Sequence, residues 1–164
     1  MNTDLGSMFS EARIIADLQA TNRWEAIDEL TSQLVATGSL KSEHREAITT
    51  VVRKRESSMS TGIGFGIGIP HASTDLISAA VASLGRSRHG VEFDALDGQP
   101  VTIVILFLIP QGQFQKHLHT LAEIAKLLHK PELRHALEQA PDAGAILQII
   151  KGQRSSGPES ADSV

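Results

Sequence analysis

Four glycines alternate with apolar residues in the segment TGIGFGIGIPHAST, residues 61–74, which continues through Pro70 to a single histidine, His71. A neutral imidazole is a nucleophile near pH 7, and it can carry a phosphoryl group through a labile P–N bond. The proline keeps Ile69 extended and fixes the backbone from which the imidazole emerges. The segment therefore predicts an oriented nucleophile at a strand end, with an ordinary surface histidine as the alternative.

The alternating pattern predicts a strand with one apolar face and one face of bare backbone. Ile63, Phe65, Ile67 and Ile69 would point together into a core. The bare face indicates a close approach, either by a packed neighbouring element or by a charged group in a recess beside His71, and both can hold together. A nucleotide-binding loop is not indicated, because the third glycine falls one residue early for Gly-x-Gly-x-x-Gly and no Gly-Lys-Ser/Thr follows.

Two more residues with useful chemistry lie on predicted inward faces of helices. His117 falls on the apolar stripe of a helix predicted over about residues 115–129, whereas His119 points about 200° away, which argues against a metal pair. Arg55 falls on the apolar side of a helix predicted over about residues 42–56. His117 is either a core histidine bonded to a carbonyl or a phosphoryl ligand. The partner of Arg55 is either a structural carboxylate or a phosphoryl group.

Convergence of these three residues would make a phosphohistidine site. His71 would accept the phosphoryl group, while Arg55 and backbone amides would hold the charge on its equatorial oxygens. His117 would support the same group from the other helix.

The elements that must position these residues form an interleaved series of helices and strands. Asn22 with Glu25 predicts the capped start of a first helix, and the apolar run from Val101 to Pro110 predicts a strand buried on both faces. The predicted fold class is α/β, a single layered domain over residues 9–151. Residues 1–8 are expected to be a flexible N-terminus, and the Ser/Gly/Pro-rich residues 152–164 a disordered tail.

Composition excludes several classes of function. A net charge of −4 and the absence of tyrosine argue against a nucleic-acid partner. The absence of cysteine excludes a disulfide scaffold, a thiolate zinc site and a cysteine nucleophile. The longest apolar run is about a third of a membrane span and no signal-peptide pattern is present, so we expect a cytoplasmic protein without membrane insertion. No bound metal or cofactor is expected.

The sequence resembles the fructose/mannitol-type EIIA domain of the bacterial sugar phosphotransferase system, and most of all its nitrogen-regulatory branch. The resemblance is carried by four motifs in the family's order and spacing, RESSMSTGIG, GIGIPH, FDALDGQPV and KHLHTL. It covers nearly the whole chain. Two positions depart from the family pattern, because Ala72 replaces a frequent glycine and Phe65 a frequent polar residue.

The resemblance implies a mixed sheet packed between helices and assigns roles to the same three residues. The family's phosphorylated histidine corresponds to His71, its supporting histidine to His117 and its helix-end arginine to Arg55. The implied donor is a phosphorylated HPr or NPr-type carrier, and the implied acceptor is a separate EIIB domain or a regulatory target. Without a cysteine or a membrane span, the chain is expected to be a stand-alone EIIA, a phosphotransferase component rather than an independent enzyme.

Two other hypotheses are alternatives to this phosphoryl carrier. A regulatory module could bind partners through the same surface without phosphoryl turnover. A metal-dependent hydrolase would need a ligand cluster with suitable spacing, and the sequence offers none.

Overall fold

Strand β6 (Val101–Pro110) is the central strand, and its side chains alternate between two hydrophobic cores. One core contains Ile103, Ile105, Phe107 and Ile109, and the other contains Val104, Leu106 and Leu108. All seven side chains are buried. The predicted strand buried on both faces is therefore confirmed.

The computed structural model describes residues 9–152, and its sheet has six strands. The other five are β1 (Ile14–Ile15), β2 (Gly62–Gly64), β3 (Ile67–Gly68), β4 (His71–Thr74) and β5 (Val81–Val91). Strand β5 is antiparallel to β6 and parallel to β1. Strands β3 and β4 run parallel to β6, and β2 is antiparallel to β3. The sheet is mixed, as the resemblance implied.

Helices cover both faces of this sheet. Helices α1 (Arg23–Ala36) and α2 (Arg45–Ser58) share one core, and α3 (Phe114–Leu128), α4 (Pro131–Gln139) and α5 (Ala143–Lys151) share the other. The predicted cap of α1 is present, because the side chain of Asn22 accepts from the backbone N–H of Glu25 at 3.0 Å. The α/β class with one layered domain is confirmed.

The expectations for the two ends of the chain lie outside the described residues. Those expectations concern residues 1–8 and 152–164, of which only Gly152 is described, and they stay predictions, as does the domain boundary. Within residues 9–152, none of the helices is long and apolar enough to cross a membrane.

The glycine segment is a hairpin rather than the single strand that its alternation predicted. Strand β2 pairs with β3 through a turn at Phe65 and Gly66, whose φ angles are 59° and 79°. A turn at this point moves Phe65 away from the predicted core face, and it is 52% exposed. Ile67 and Ile69 are buried as expected.

Close packing explains two of the four glycines of the hairpin, Gly62 and Gly68. A Cβ atom on Gly68 would lie 2.9 Å from ring atoms of Phe93, and one on Gly62 would lie 2.9 Å from Ala95. The first of the two interpretations of the bare face is therefore correct, although the covering element is the segment after β5. Neither of these two glycines lines the cavity beside His71.

The chain then runs along one edge of β6 and delivers His71 to a fixed place. Ile67 of β3 pairs with Ile103, and His71 of β4 pairs with Phe107. Between the two strands, the backbone N–H of Phe107 donates to the carbonyl of Pro70 at 3.0 Å. His71 consequently begins a strand rather than ending one, which corrects the predicted placement.

Gly68→Ala should destabilise the protein by about 1–3 kcal/mol, because its Cβ would overlap the buried ring of Phe93. Gly144→Ala is the matched control, since its nearest contacts would be at 3.5 Å and alanine favours the helix α5. Urea denaturation of both variants measures the change in the free energy of unfolding. A Gly68→Ala variant as stable as the wild type would contradict this packing.

Candidate functional site

One ring nitrogen of His71 is held by the backbone and the other lies beside Arg55. Nδ1 lies 2.8 Å from the carbonyl oxygen of Ile69. A carbonyl oxygen can only accept, so Nδ1 carries the proton, and in the neutral ring Nε2 keeps its lone pair. The imidazole also stacks on Phe114, the first residue of α3, with ring centroids 6.2 Å apart. The ring is thus fixed in orientation and in tautomer.

The surroundings of His71 favour the neutral imidazole. Burial is the main cause that holds its pKa below the ordinary value, and the positive charge of Arg55 lowers the pKa further. The hydrogen bond to Ile69 and the negative charge of Glu56 act in the opposite direction and raise the pKa. The net shift is downward, so the nucleophilic form predominates at neutral pH.

Arg55 reaches His71 from the last turn of α2. Its Nη2 lies 3.3 Å from Nε2 of His71 and donates toward the lone pair. The predicted inward orientation is wrong, because Arg55 is exposed and its neighbour Glu56 is the buried residue. Among residues 9–152, no carboxylate forms an ion pair with Arg55, which leaves its guanidinium available to an anion at Nε2.

His117 is half-buried in the first turn of α3, on the side that faces the sheet. Its ring meets Phe107 edge-on, with centroids 5.8 Å apart and planes at 90°. Phe107 is the register partner of His71, so both histidines adjoin the same residue of β6. In the described part of the chain, no hydrogen bond joins the two imidazoles. Burial lowers the pKa of His117, and Lys116 lowers it further.

His119 has the outward orientation that its angle predicted. Its side chain is 67% exposed, and Nε2 lies 3.7 Å from a carboxylate oxygen of Glu123. The structure therefore separates the two histidines of the motif KHLHTL. Only the first of them, His117, faces the sheet beside β6.

A cavity of about 480 Å³ opens beside His71, between the end of α2 and helix α3. Its walls are mostly apolar and include Met59, Ile63, Ile69, Phe114, Leu118, Leu121, Ala122 and Ala125. Arg55 also lines the cavity and brings a positive charge to it. An apolar wall with one cation suits an anionic group that must be separated from water.

Sequence reasoning missed two residues of this region, Glu56 and Thr61. The carboxylate of Glu56 has no solvent exposure and accepts from the backbone N–H of Thr61 at 2.8 Å and from its hydroxyl at 2.7 Å. A signal was present, since Glu56 continues the stripe of Ile48 and Val52 at intervals of four residues.

The geometry supports nucleophilic attack by Nε2 of His71 on an anionic electrophile. The lone pair points to Arg55, and the cavity offers space for a group bound to the ring. No group of three or more His, Cys, Asp or Glu side chains that could hold a metal ion occurs within residues 9–152.

A family model matches residues 7–153 of the chain. It describes the EIIA 2 domain of the phosphoenolpyruvate-dependent sugar phosphotransferase system. The match spans nearly the whole chain, including the three predicted site residues.

The chain is similar both to proteins named as fructose-specific components and to proteins named as nitrogen regulatory proteins. The fructose-specific EIIABC component of Bacillus subtilis is 34% identical over 143 residues, which is 87% of this chain but 22% of that protein. A nitrogen regulatory protein of Bradyrhizobium diazoefficiens is 30% identical over 137 residues, 84% of this chain and 88% of that protein. The crystal structure of the nitrogen regulatory protein IIA-Ntr from Neisseria meningitidis superposes with a TM-score of 0.81 at 26% identity, covering 90% of this chain and 99% of that one.

Arg55→Gln should raise the pKa of His71, because it removes a positive charge that disfavours the imidazolium form. Titration of the imidazole resonances by NMR measures the change. Lys54→Gln is the matched control, since it removes the same charge from an exposed neighbour on α2. Equal shifts of the His71 pKa in both variants would contradict a specific contact between Arg55 and His71.

Proposed function

The chain belongs to the EIIA 2 family of the sugar phosphotransferase system, and from this premise we propose that it is a phosphoryl carrier whose acceptor atom is Nε2 of His71. The observation that supports this most directly is the pair of bonds at the imidazole. Nδ1 is held by Ile69 at 2.8 Å, and Nε2 meets the guanidinium of Arg55 at 3.3 Å. One nitrogen is therefore occupied, and the other is placed beside a cation.

The proposed donor is the phosphohistidine of an HPr or NPr-type carrier. The lone pair of Nε2 attacks phosphorus and forms a new P–N bond, while the P–N bond of the donor breaks and its electron pair returns to the donor's imidazole. The ring of His71 gains positive character in this step. The carbonyl of Ile69, which accepts from Nδ1–H, stabilises that charge without removing the proton.

Arg55 and His117 have distinct roles in this proposal. The guanidinium of Arg55 offers planar paired donors to the equatorial oxygens of the phosphoryl group, as arginine does for other oxyanions. His117 approaches from α3, where its ring contacts Phe107, and donates to a phosphoryl oxygen once the group is bound. The two residues come from helices on opposite faces of the sheet.

The exposed apolar side chains around the cavity support an encounter with another protein. Met59 is 77% exposed and Leu118 is 46% exposed, and both line the cavity beside His71. A separate EIIB domain would take the phosphoryl group onto a cysteine thiolate, with the electron pair of the P–N bond returning to Nε2. The name of the Bacillus relative joins the A component to B and C components, which supports an acceptor of this kind.

A regulatory role is the second candidate function. It is supported by the relatives named nitrogen regulatory protein, which have nearly the same length as this chain. In that role the phosphorylation state of His71 decides which target the surface binds. The cytoplasm, where phosphoenolpyruvate is available, is the proposed location for both roles.

His71→Ala should abolish labelling by a phosphorylated HPr-type carrier, because no acceptor atom remains. His117→Ala keeps the acceptor, so label should appear about 10²–10³-fold more slowly, as expected for the loss of one transition-state donor. Mass spectrometry of an acid-labile, base-stable phosphate gives both the site and the rate.

His119→Ala is the matched control on the same helix, and it should label at the wild-type rate because that side chain faces solvent. Phosphate on another residue, or wild-type labelling of His71→Ala, would refute the assignment of the acceptor. Equal rates for the His117 and His119 variants would refute the supporting role of His117.

Arg55→Lys should keep the fold but slow labelling by about tenfold, the rate equivalent of one hydrogen bond of about 1.4 kcal/mol. Lysine keeps the charge but lacks the planar fork. The exposure of Arg55 predicts an unchanged melting temperature. A lower melting temperature together with an unchanged transfer rate would show that Arg55 has a structural role instead.

A further inference from the structure

Glu56 holds a fully buried carboxylate beside the proposed site, although the proposed chemistry does not use it. It accepts three hydrogen bonds, from the backbone N–H of Thr61 at 2.8 Å, from the Thr61 hydroxyl at 2.7 Å and from Nη1 of Arg23 at 3.3 Å. Burial of a carboxylate costs several kcal/mol unless donors of this kind surround it. The buried carboxylate of Glu56 is therefore stabilised at the end of α2 by these three donors.

A short series of hydrogen bonds connects Glu56 to the imidazole of His71. The carbonyl of Thr61 accepts from the backbone N–H of Ile69 at 3.1 Å. The carbonyl of the same Ile69 accepts from Nδ1 of His71 at 2.8 Å. Glu56 thus fixes Thr61, Thr61 fixes Ile69, and Ile69 fixes the tautomer and orientation of the imidazole.

Glu56 also holds the helical turn that carries Arg55, the residue whose guanidinium contacts Nε2 of His71. Arg55 is its peptide neighbour in the last turn of α2, where backbone carbonyls lack helical partners. The hydroxyls of Ser57 and Ser58 donate to carbonyls of the same turn, at Lys54 and Arg55. Glu56 is the member of this turn that ties it to Thr61 and to α1, through Arg23.

We propose that Glu56 is a positioning residue that sets the distance between the guanidinium of Arg55 and Nε2 of His71. This inference rests on the proposed function, because that distance matters only if a phosphoryl group is received there. Glu56 itself touches neither the phosphoryl group nor the partner, since its side chain has no solvent exposure. Its loss should therefore reduce kcat rather than raise the KM for the carrier.

The first variant, Glu56→Leu, removes both the charge and the acceptor. Transfer from a phosphorylated HPr-type carrier should fall about 10²-fold in kcat, the loss typical of a misplacement of about 1 Å, with KM within about twofold of the wild type. The Nδ1–H resonance of His71 should exchange faster with solvent in this variant, because its acceptor carbonyl is no longer fixed.

The second variant, Glu56→Gln, separates hydrogen bonding from charge. The amide oxygen can accept from the Thr61 N–H and from Arg23, and the amide nitrogen can donate to the Thr61 hydroxyl, which rotates to accept. The transfer rate should recover to within about fivefold of the wild type. The pKa of His71 should fall in this variant, because the negative charge of Glu56 raises it. The other charged or titratable neighbours, Arg55 on α2 and His117 on α3, are the same in both variants.

The matched control is Glu29→Leu on α1, which removes a carboxylate that lies away from the cavity beside His71 and accepts from the backbone N–H groups of Gln19 and Ala20. It should leave kcat and the Nδ1–H resonance unchanged. Equal effects of Glu29→Leu and Glu56→Leu, or an unchanged kcat in Glu56→Leu, would overturn the inference.

Two further measurements keep the inference testable. If Glu56→Leu does not fold, Thr61→Val removes only the 2.7 Å hydroxyl bond and should slow transfer by about tenfold; a wild-type rate would overturn the inference. If the wild type takes no label at His71, the proposed function fails instead. In that case, faster exchange of Nδ1–H in the Glu56 variant still supports positioning of the ring, and unchanged exchange refutes it.

Discussion

The hydrogen bond from Nδ1 of His71 to the carbonyl of Ile69 is the constraint on which the rest of the site depends. An imidazole exchanges its proton between two nitrogens unless one of them is bound to a group that can only accept. The carbonyl is available because Pro70 and the pairing along β6 hold the chain extended at this point. The orientation of one side chain is thus determined by a buried strand that contributes no chemistry of its own.

The site has to reconcile burial with access. Burial lowers the pKa of His71 and so preserves its lone pair, whereas in the proposed role a partner protein has to reach the same atom. Two adjacent residues of α2 reflect these two requirements. Glu56 is buried, whereas Arg55 is exposed. Their opposite charges shift the pKa of His71 in opposite directions, and the exposed Arg55 remains accessible to an anion.

Regular periodicity allowed much of this structure to be predicted, including the buried strand over residues 101–110 and the inward face of His117. The hairpin could not be predicted in the same way, because alternation of period two fits one strand or two, and Phe65 is an unusual residue for a left-handed turn. Glu56 lies on the buried stripe of α2, and Arg55 is one residue away and therefore about 100° around the helix from it. The burial of Glu56 could not be predicted either, because its carboxylate depends on two donors from Thr61. Those donors reach it only through the backbone path that follows the end of α2.

If His71 carries the phosphoryl group as proposed, the apolar walls of the cavity beside it also affect how long the P–N bond survives. A phosphoryl group on a histidine has a high group-transfer potential, and water competes with every legitimate recipient for it. Met59, Phe114 and Leu118 leave few polar positions near Nε2 from which a water molecule could be oriented for attack. In the proposed role, a partner protein supplies its own nucleophile and displaces water from this surface as it docks. The apolar surface would therefore slow hydrolysis of the phosphohistidine without slowing transfer to the partner.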